Sequence, residues 1–183
     1  MIINYKLLHY HIKMMTTPNT DEKFFTNDQY VLFKSGIPSQ WYPSPFTLDG
    51  INYVNCEQRM MYMKAKVFGD DRIMKLVMET EDPKEHKKYG REVVNFDPVK
   101  WGELAFDIVV EANYAKFTQN PELKQFLMST GSRTFVECAP YDNIWGNGLN
   151  ITDTLLCDEE DWKGTNLLGK AIMLVRDRIM SEV

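Results

Sequence analysis

Glu57 and Lys64 are the two residues whose type and spacing best fit chemistry in this sequence. They lie in C-E-Q-R-M-M-Y-M-K-A-K-V-F-G-D, residues 56–70. Side chains three, four and seven apart share a helix face, so Glu57, Met60, Met61, Lys64 and Phe68 fall close to one line. The apolar members turn that line toward a core, and the count leaves Arg59, Lys66 and the edge of Tyr62 on the opposite side. A charge on a dry face is costly unless it is paired or neutralised. A structural salt bridge or two snorkelling side chains would meet the cost. So would a catalytic carboxylate and amine at the bottom of a pocket. Spacing alone leaves both readings open.

Other catalytic chemistries find less support. His9, His11 and His86 lie in the N-terminal segment or on a charged face. Cys56, Cys138 and Cys157 are odd in number and widely spaced. With no C-x-x-C, neither a zinc site nor a disulfide framework is signalled. No serine sits in a G-x-S-x-G elbow, and no histidine can be placed beside a cysteine. No metal and no cofactor are expected. Three loops carry more polar and aromatic residues than connections need: Ser39–Pro45 with Trp41, Lys116–Asn120, and Pro140–Asn150 with Asp142, Trp145, Gly146 and Gly148. Aromatics beside glycines suit stacking against a base or ribose. Trp41, Trp101 and Trp145 would serve equally as plugs over the core.

The elements that must position these residues follow from local signals. Residues 1–22 read as a flexible tail ahead of a single domain, 23–183. Tyr30–Phe33 is a short strand. Asp49-Gly50 between Phe46–Leu48 and Ile51–Val54 is a strong hairpin signal. Asn55 is a natural N-cap for the Glu57 helix. Helices are expected over 71–80, from Asp82-Pro83, over 99–114, over 122–130 and over 166–180. Tyr89-Gly-Arg91 and Lys116–Pro121 read as interruptions, and Thr134–Glu137 as a strand. The sum is a mostly α, α+β domain of about six helices with a short hairpin and small strands. No β-α-β rhythm and no G-x-G-x-x-G point to a Rossmann sheet.

Composition narrows the class. The 183 residues are 44% hydrophobic and 13% aromatic, which is ample for one buried core. A net charge of −5 argues against broad, non-specific nucleic-acid binding but leaves room for a local basic patch. No apolar run is long enough to span a bilayer, and the N-terminus lacks a signal-peptide core. A soluble intracellular protein is expected, cytoplasmic or nuclear, with no membrane partner.

The chain resembles the NADAR family, the YbiA-like N-glycosidase domain. The resemblance runs through Gly36–Phe46 with Asp49-Gly50, then Glu57-Gln58-x-Met60-Met61-Tyr62-x-Lys64-Ala65-x-x-Phe68-Gly69-Asp70. It continues in Gly90-Arg91, Phe96-Asp97-x-x-x-x-Trp101 and Lys116-Phe117-x-Gln119-Asn120. It ends with Pro140-Tyr141-Asp142-x-x-Trp145-Gly146-x-Gly148, Trp162-x-Gly164-x-Asn166-x-Leu168-Gly169 and Val175-Arg176. Phe33 to Arg178 is covered, in order.

That resemblance implies hydrolysis of the bond between ribose C1 and a base. The leading substrate is ADP-ribosylated guanine in nucleic acid, so ADP-ribose or a ribose phosphate is the expected ligand. Ribosylaminouracil phosphate intermediates of riboflavin synthesis are the alternative, as is a non-catalytic ADP-ribose or NAD module. It also implies that Lys64 forms a Schiff base with the opened sugar and that Glu57 and Asp142 are the catalytic carboxylates. Gln40, Trp41, Arg91, Trp101, Lys116, Gln119, Asn120, Trp145 and Gly146 are the expected ligand contacts. Gln40, Arg59, Asn147 and Cys138-Ala139 depart from the family pattern, and Gln40 and Asn147 are the departures expected to affect substrate choice.

Overall fold

Short strands and capped helices make up most of the described residues. The computed structural model describes residues 23–182, so the expected tail, residues 1–22, lies outside the described residues. The strands are β1 (Phe24–Thr26), β2 (Tyr30–Phe33), β3 (Phe46–Leu48), β4 (Ile51–Tyr53) and β5 (Thr134–Glu137). The helices are α1 (Cys56–Val67), α2 (Asp71–Met78), α3 (Pro83–Arg91), α4 (Pro98–Gln119), α5 (Pro121–Ser129), α6 (Ile151–Leu156) and α7 (Leu167–Ser181). A single 3-10 turn, Glu159–Asp161, lies between α6 and α7. The class is mostly α with two small sheets, as expected; β1 and the short α6 are additions. Of the described residues, one compact unit comprises 23–36 with Ser132–Lys170, and the other comprises Ile37–Gly131 with 171–182.

In the first unit, β1 pairs antiparallel with β2, and β2 pairs parallel with β5, Val31 opposite Phe135 and Leu32 opposite Val136. Leu32, Val136, Cys138, Ile151 and Leu155 form its core, with Tyr30 and Trp162 packed on it. Asn166 completes the outer edge of β5. Its Oδ1 accepts from the Glu137 N–H at 3.0 Å and its Nδ2 donates to the Phe135 carbonyl at 2.8 Å, much as a neighbouring strand would. A φ of 51° places Asn166 in the left-handed region, which asparagine tolerates.

In the second unit the hairpin turns on Asp49 (φ 54°) and Gly50 (φ 76°), the two positive values that a type I′ turn requires. It leads straight into α1. Asn55 accepts from the Gln58 N–H at 2.8 Å, while Gln58 Oε1 accepts from the Val54 N–H at 2.8 Å. This reciprocal pairing satisfies amides on both sides of the helix start. Asp82 caps α3 and Asp97 caps α4, each followed by proline in the first turn. α1 packs against α2, α3 and α4, and the hairpin packs on α4.

Two side chains expected on the surface are inside. Arg59 is 2% exposed. Its guanidinium donates to Asp49 Oδ2 at 2.9 Å and to the Tyr53 hydroxyl at 3.3 Å, and it faces Glu111 at 3.7 Å. The hairpin and α4 supply its partners and cover that side of α1 as well. His86 is fully buried, with Nε2 donating to the Thr80 carbonyl at 2.8 Å and Nδ1 left without a partner. Burial pushes its pKa down from 6.5, and the Thr80 carbonyl and Asp82 oppose that only in part.

Two stability measurements check these interiors. Below pH 6.5 the unfolded imidazole takes a proton that the folded site resists. Unfolding free energy should therefore fall as pH drops from 6.5, and His86→Gln should remove that part of the slope. Asp49→Asn preserves the turn but strips Arg59 of its nearest anion. It should destabilise by about 1–3 kcal/mol, and in the Arg59→Met background it should be almost silent, as read by urea unfolding.

Candidate active site

The second unit brings two polar groupings onto α1. The first is centred on Lys64, which is half-buried. Its Nζ donates to the Gly90 carbonyl at 2.7 Å and lies 4.1 Å from the centre of the Phe96 ring. Gly90 makes this possible, because a Cβ there would run into Met61 Sδ. Its absence lets α3 approach α1 until the carbonyl reaches the amine. Tyr89-Gly-Arg91 is thus the last turn of α3, not an interruption. Burial lowers the Lys64 pKa, the nearby Arg91 guanidinium lowers it further, and Glu57 opposes both. Arg91 itself is exposed.

The second grouping is a buried polar strip. Glu57, 6% exposed, lies two turns before Lys64 on the same face, and its N–H donates to the Gln40 carbonyl at 3.1 Å. Gln40, 7% exposed, accepts at Oε1 from Asn113 Nδ2 at 2.9 Å. Asn113 also donates to the Val109 carbonyl, and its Oδ1 has no partner. Lys116 was expected on a loop. It lies instead within α4, which runs on to Gln119, and is fully buried. Its Nζ donates to the Ser39 carbonyl at 2.9 Å. Burial pushes its pKa down to about 8, opposed by Cys56. Burial in turn raises the Cys56 thiol to about 11.

The remaining expected contacts of this unit divide. Gln119 clamps β3, donating to the Thr47 carbonyl at 2.7 Å and accepting from the Thr47 N–H at 2.8 Å. Asn120 donates to the Pro45 and Lys116 carbonyls at 3.0 and 2.8 Å. With Lys116, these side chains hold the loop 39–47 in place, a structural task not foreseen from sequence. Trp41 is 37% exposed, with Lys87 Nζ 6.0 Å from its ring centre. Trp101 is half-buried in the first turns of α4. Asn113 was missed, although a polar residue among Val109, Ala112 and Ala115 is itself a signal.

In the first unit, Asp142 Oδ1 accepts from the Ile144 and Trp145 N–H groups at 3.0 and 2.8 Å, which sets the loop's turn. The Trp145 carbonyl accepts from Leu168 N–H at 3.1 Å, and that of Gly146 from Asn166 N–H at 3.0 Å. Gly146 cannot bear a Cβ, which would meet Ala139 Cβ at 2.8 Å. Asn147, expected to affect substrate choice, is fully buried and bonds internally to Thr154 and Leu149. Among the described residues no His, Cys, Asp and Glu cluster could hold a metal ion, and no helix is long and apolar enough to cross a membrane.

A family model described as the NADAR domain matches residues 23–180, and the chain belongs to that family. An N-glycosidase of Acanthamoeba polyphaga mimivirus is 42% identical over 82% of this chain and 96% of its own length. The N-glycosidase YbiA of Shigella flexneri serotype 5b is 26% identical over 87% and 88%. A protein named for riboflavin biosynthesis in Vibrio vulnificus is 26% identical over 79% of this chain but only 35% of its own length. The NMR structure of the YbiA protein of E. coli shares the fold, with a TM-score of 0.70 over 89% of this chain and 92% of that one, at 23% identity.

The close approach at Gly90 is directly testable. Gly90→Ala should destabilise by about 1–3 kcal/mol, since the new methyl must displace Met61. Met61→Ala in the same chain should recover part of the loss, measured by urea denaturation.

Proposed function

We propose that this protein is an N-glycosidase that cleaves the bond between ribose C1 and a base through an imine on Lys64. The observation that carries the reading is the placement of that amine. It is half-buried, its pKa is lowered, and it shares a helix face with the buried Glu57. Relatives aligned over nearly their whole length are named N-glycosidases, which supports the class.

The chemistry is economical in groups. An N-riboside opens to a C1 at the aldehyde level, which a neutral amine attacks. The C1–base bond breaks, the base leaves with a proton, and Lys64 holds C1 as an imine. Water then adds to C1 and releases the sugar and the amine. Burial and Arg91 favour the neutral amine. Glu57 is proposed to carry protons between the leaving base and water. Asp142 is proposed as the second carboxylate on the family resemblance.

ADP-ribosylated guanine in nucleic acid is the proposed substrate. Ribosylaminouracil phosphate is the second reading, favoured by the relatives named for riboflavin biosynthesis. Incubation with each compound should release a base from one of them, at a rate that rises with pH through a pKa below 10.5. Borohydride added during turnover should leave a reduced sugar adduct on Lys64, identified by peptide mass. Full activity in Lys64→Ala would exclude the imine. Release from neither substrate, with tight binding of ADP-ribose, would identify a binding module instead.

A further inference from the structure

Phe96 is 42% exposed, yet the chain around it is held at both ends. Before it, the Val94 N–H donates to Asp70 Oδ2 at 3.1 Å, and the same carboxylate caps α2 through the Ile73 N–H at 3.0 Å. After it, Asp97 caps α4 through the Val99 and Lys100 N–H groups. Between them Asn95 takes a left-handed φ of 55°. The ring is steadied from behind by Phe68, edge to face at 5.3 Å and 68°. These constraints fix an aromatic face in the open, where it gains little from burial, and that face meets Lys64 Nζ at 4.1 Å. An ammonium over a ring face at this distance is attracted by the ring quadrupole.

We propose that Phe96 is the positioning residue of the Lys64 amine, its ring face and the Gly90 carbonyl together fixing where Nζ sits and how readily it reacts. The functional meaning rests on the imine reading of Lys64; the physical contact does not. The ring stabilises the ammonium, whereas burial and Arg91 on α3 destabilise it and Glu57 on α1 favours it. Lys100 on α4 is 5.7 Å from the Phe68 ring centre, and Glu92 pairs with Arg72 of α2 at 3.8 Å. Phe96 therefore offsets part of the effect of burial. It keeps the resting amine a cation pointed at one place until a sugar competes for it.

The test reads the amine itself in the unliganded full-length protein. A brief pulse of a small acylating reagent across a pH series, followed by peptide mass, gives the midpoint for Lys64, with exposed Lys66 as internal control. Phe96→Leu should lower the Lys64 midpoint by roughly 0.5–1.5 pH units and leave that of Lys66 unchanged. Phe96→Tyr should restore it. Pentafluorophenylalanine at position 96 keeps the shape of the ring while reversing its quadrupole, and should lower the midpoint as Leu does. An unmoved midpoint in the fluorinated protein would overturn the proposal even if Phe96→Leu failed to fold. A shifted midpoint with no borohydride-trapped sugar on Lys64 would sink the imine reading and leave the Phe96 contact standing. A trapped sugar with an unshifted midpoint would do the reverse.

Discussion

α1 is buried on nearly every side although many of its residues are polar, and each inward polar group needs a partner. The structure meets that need differently at each position. Gln58 ties the helix start to Val54 and donates to the Val77 and Thr80 carbonyls at 3.1 Å. Arg59 takes the carboxylate at the hairpin tip. Lys64 takes a main-chain oxygen that only a glycine could bring so close. The second unit is built from these satisfactions as much as from its apolar cluster of Phe46, Tyr53, Cys56, Ala112 and Ala115. An interior so committed to polar bonds tolerates substitution poorly, because losing one partner leaves the other buried and unpaired.

Two lysines in the second unit have lowered pKa values, and the contrast between them bears on function. Lys116 is fully enclosed and bonded to the Ser39 carbonyl. Burial lowers its pKa but leaves none of it open to solvent, and its bond steadies the segment that carries Gln40 and Trp41. Lys64 is only half-buried. Desolvation enough to depress a pKa, with access enough to meet a ligand, is the combination that an attacking amine needs. Accessibility, more than acidity, separates the two.

Local signals in the sequence located much of this. Asp49-Gly50, Asn55 and Asp82-Pro83 act within a few residues of themselves, so the turn and two helix starts were readable where they stand. Glu57 and Lys64 were readable as one face, because helical period needs no partner. Arg59, His86 and Lys116 were misread because their burial is set by segments distant in sequence: the hairpin tip, Thr80 and Ser39. A helix count gives directions around an axis but not how many of them are covered. Phe96 was visible only as a member of a motif; its meeting with Lys64 depends on α1 and α3 crossing closely at Gly90.

Net charge misleads in the same way. The chain carries −5, yet Lys64 is acted on by the Arg91 cation as well as by the Glu57 carboxylate. On α3, Glu85 is paired with Lys88 at 3.0 Å, and just beyond it Glu92 faces Arg72. Asp97 is engaged in capping α4. Lys84, Lys87 and Arg91 have no such anion among the pairs made by that helix, and Lys64 and Lys100 add to them across the Phe96 and Phe68 rings. Surface charges more than about 10 Å apart are largely screened in physiological salt, so an approaching ligand responds to this neighbourhood more than to the whole-chain sum. Among these cations Arg91 acts on Lys64 directly, lowering its pKa, and Glu57 opposes it.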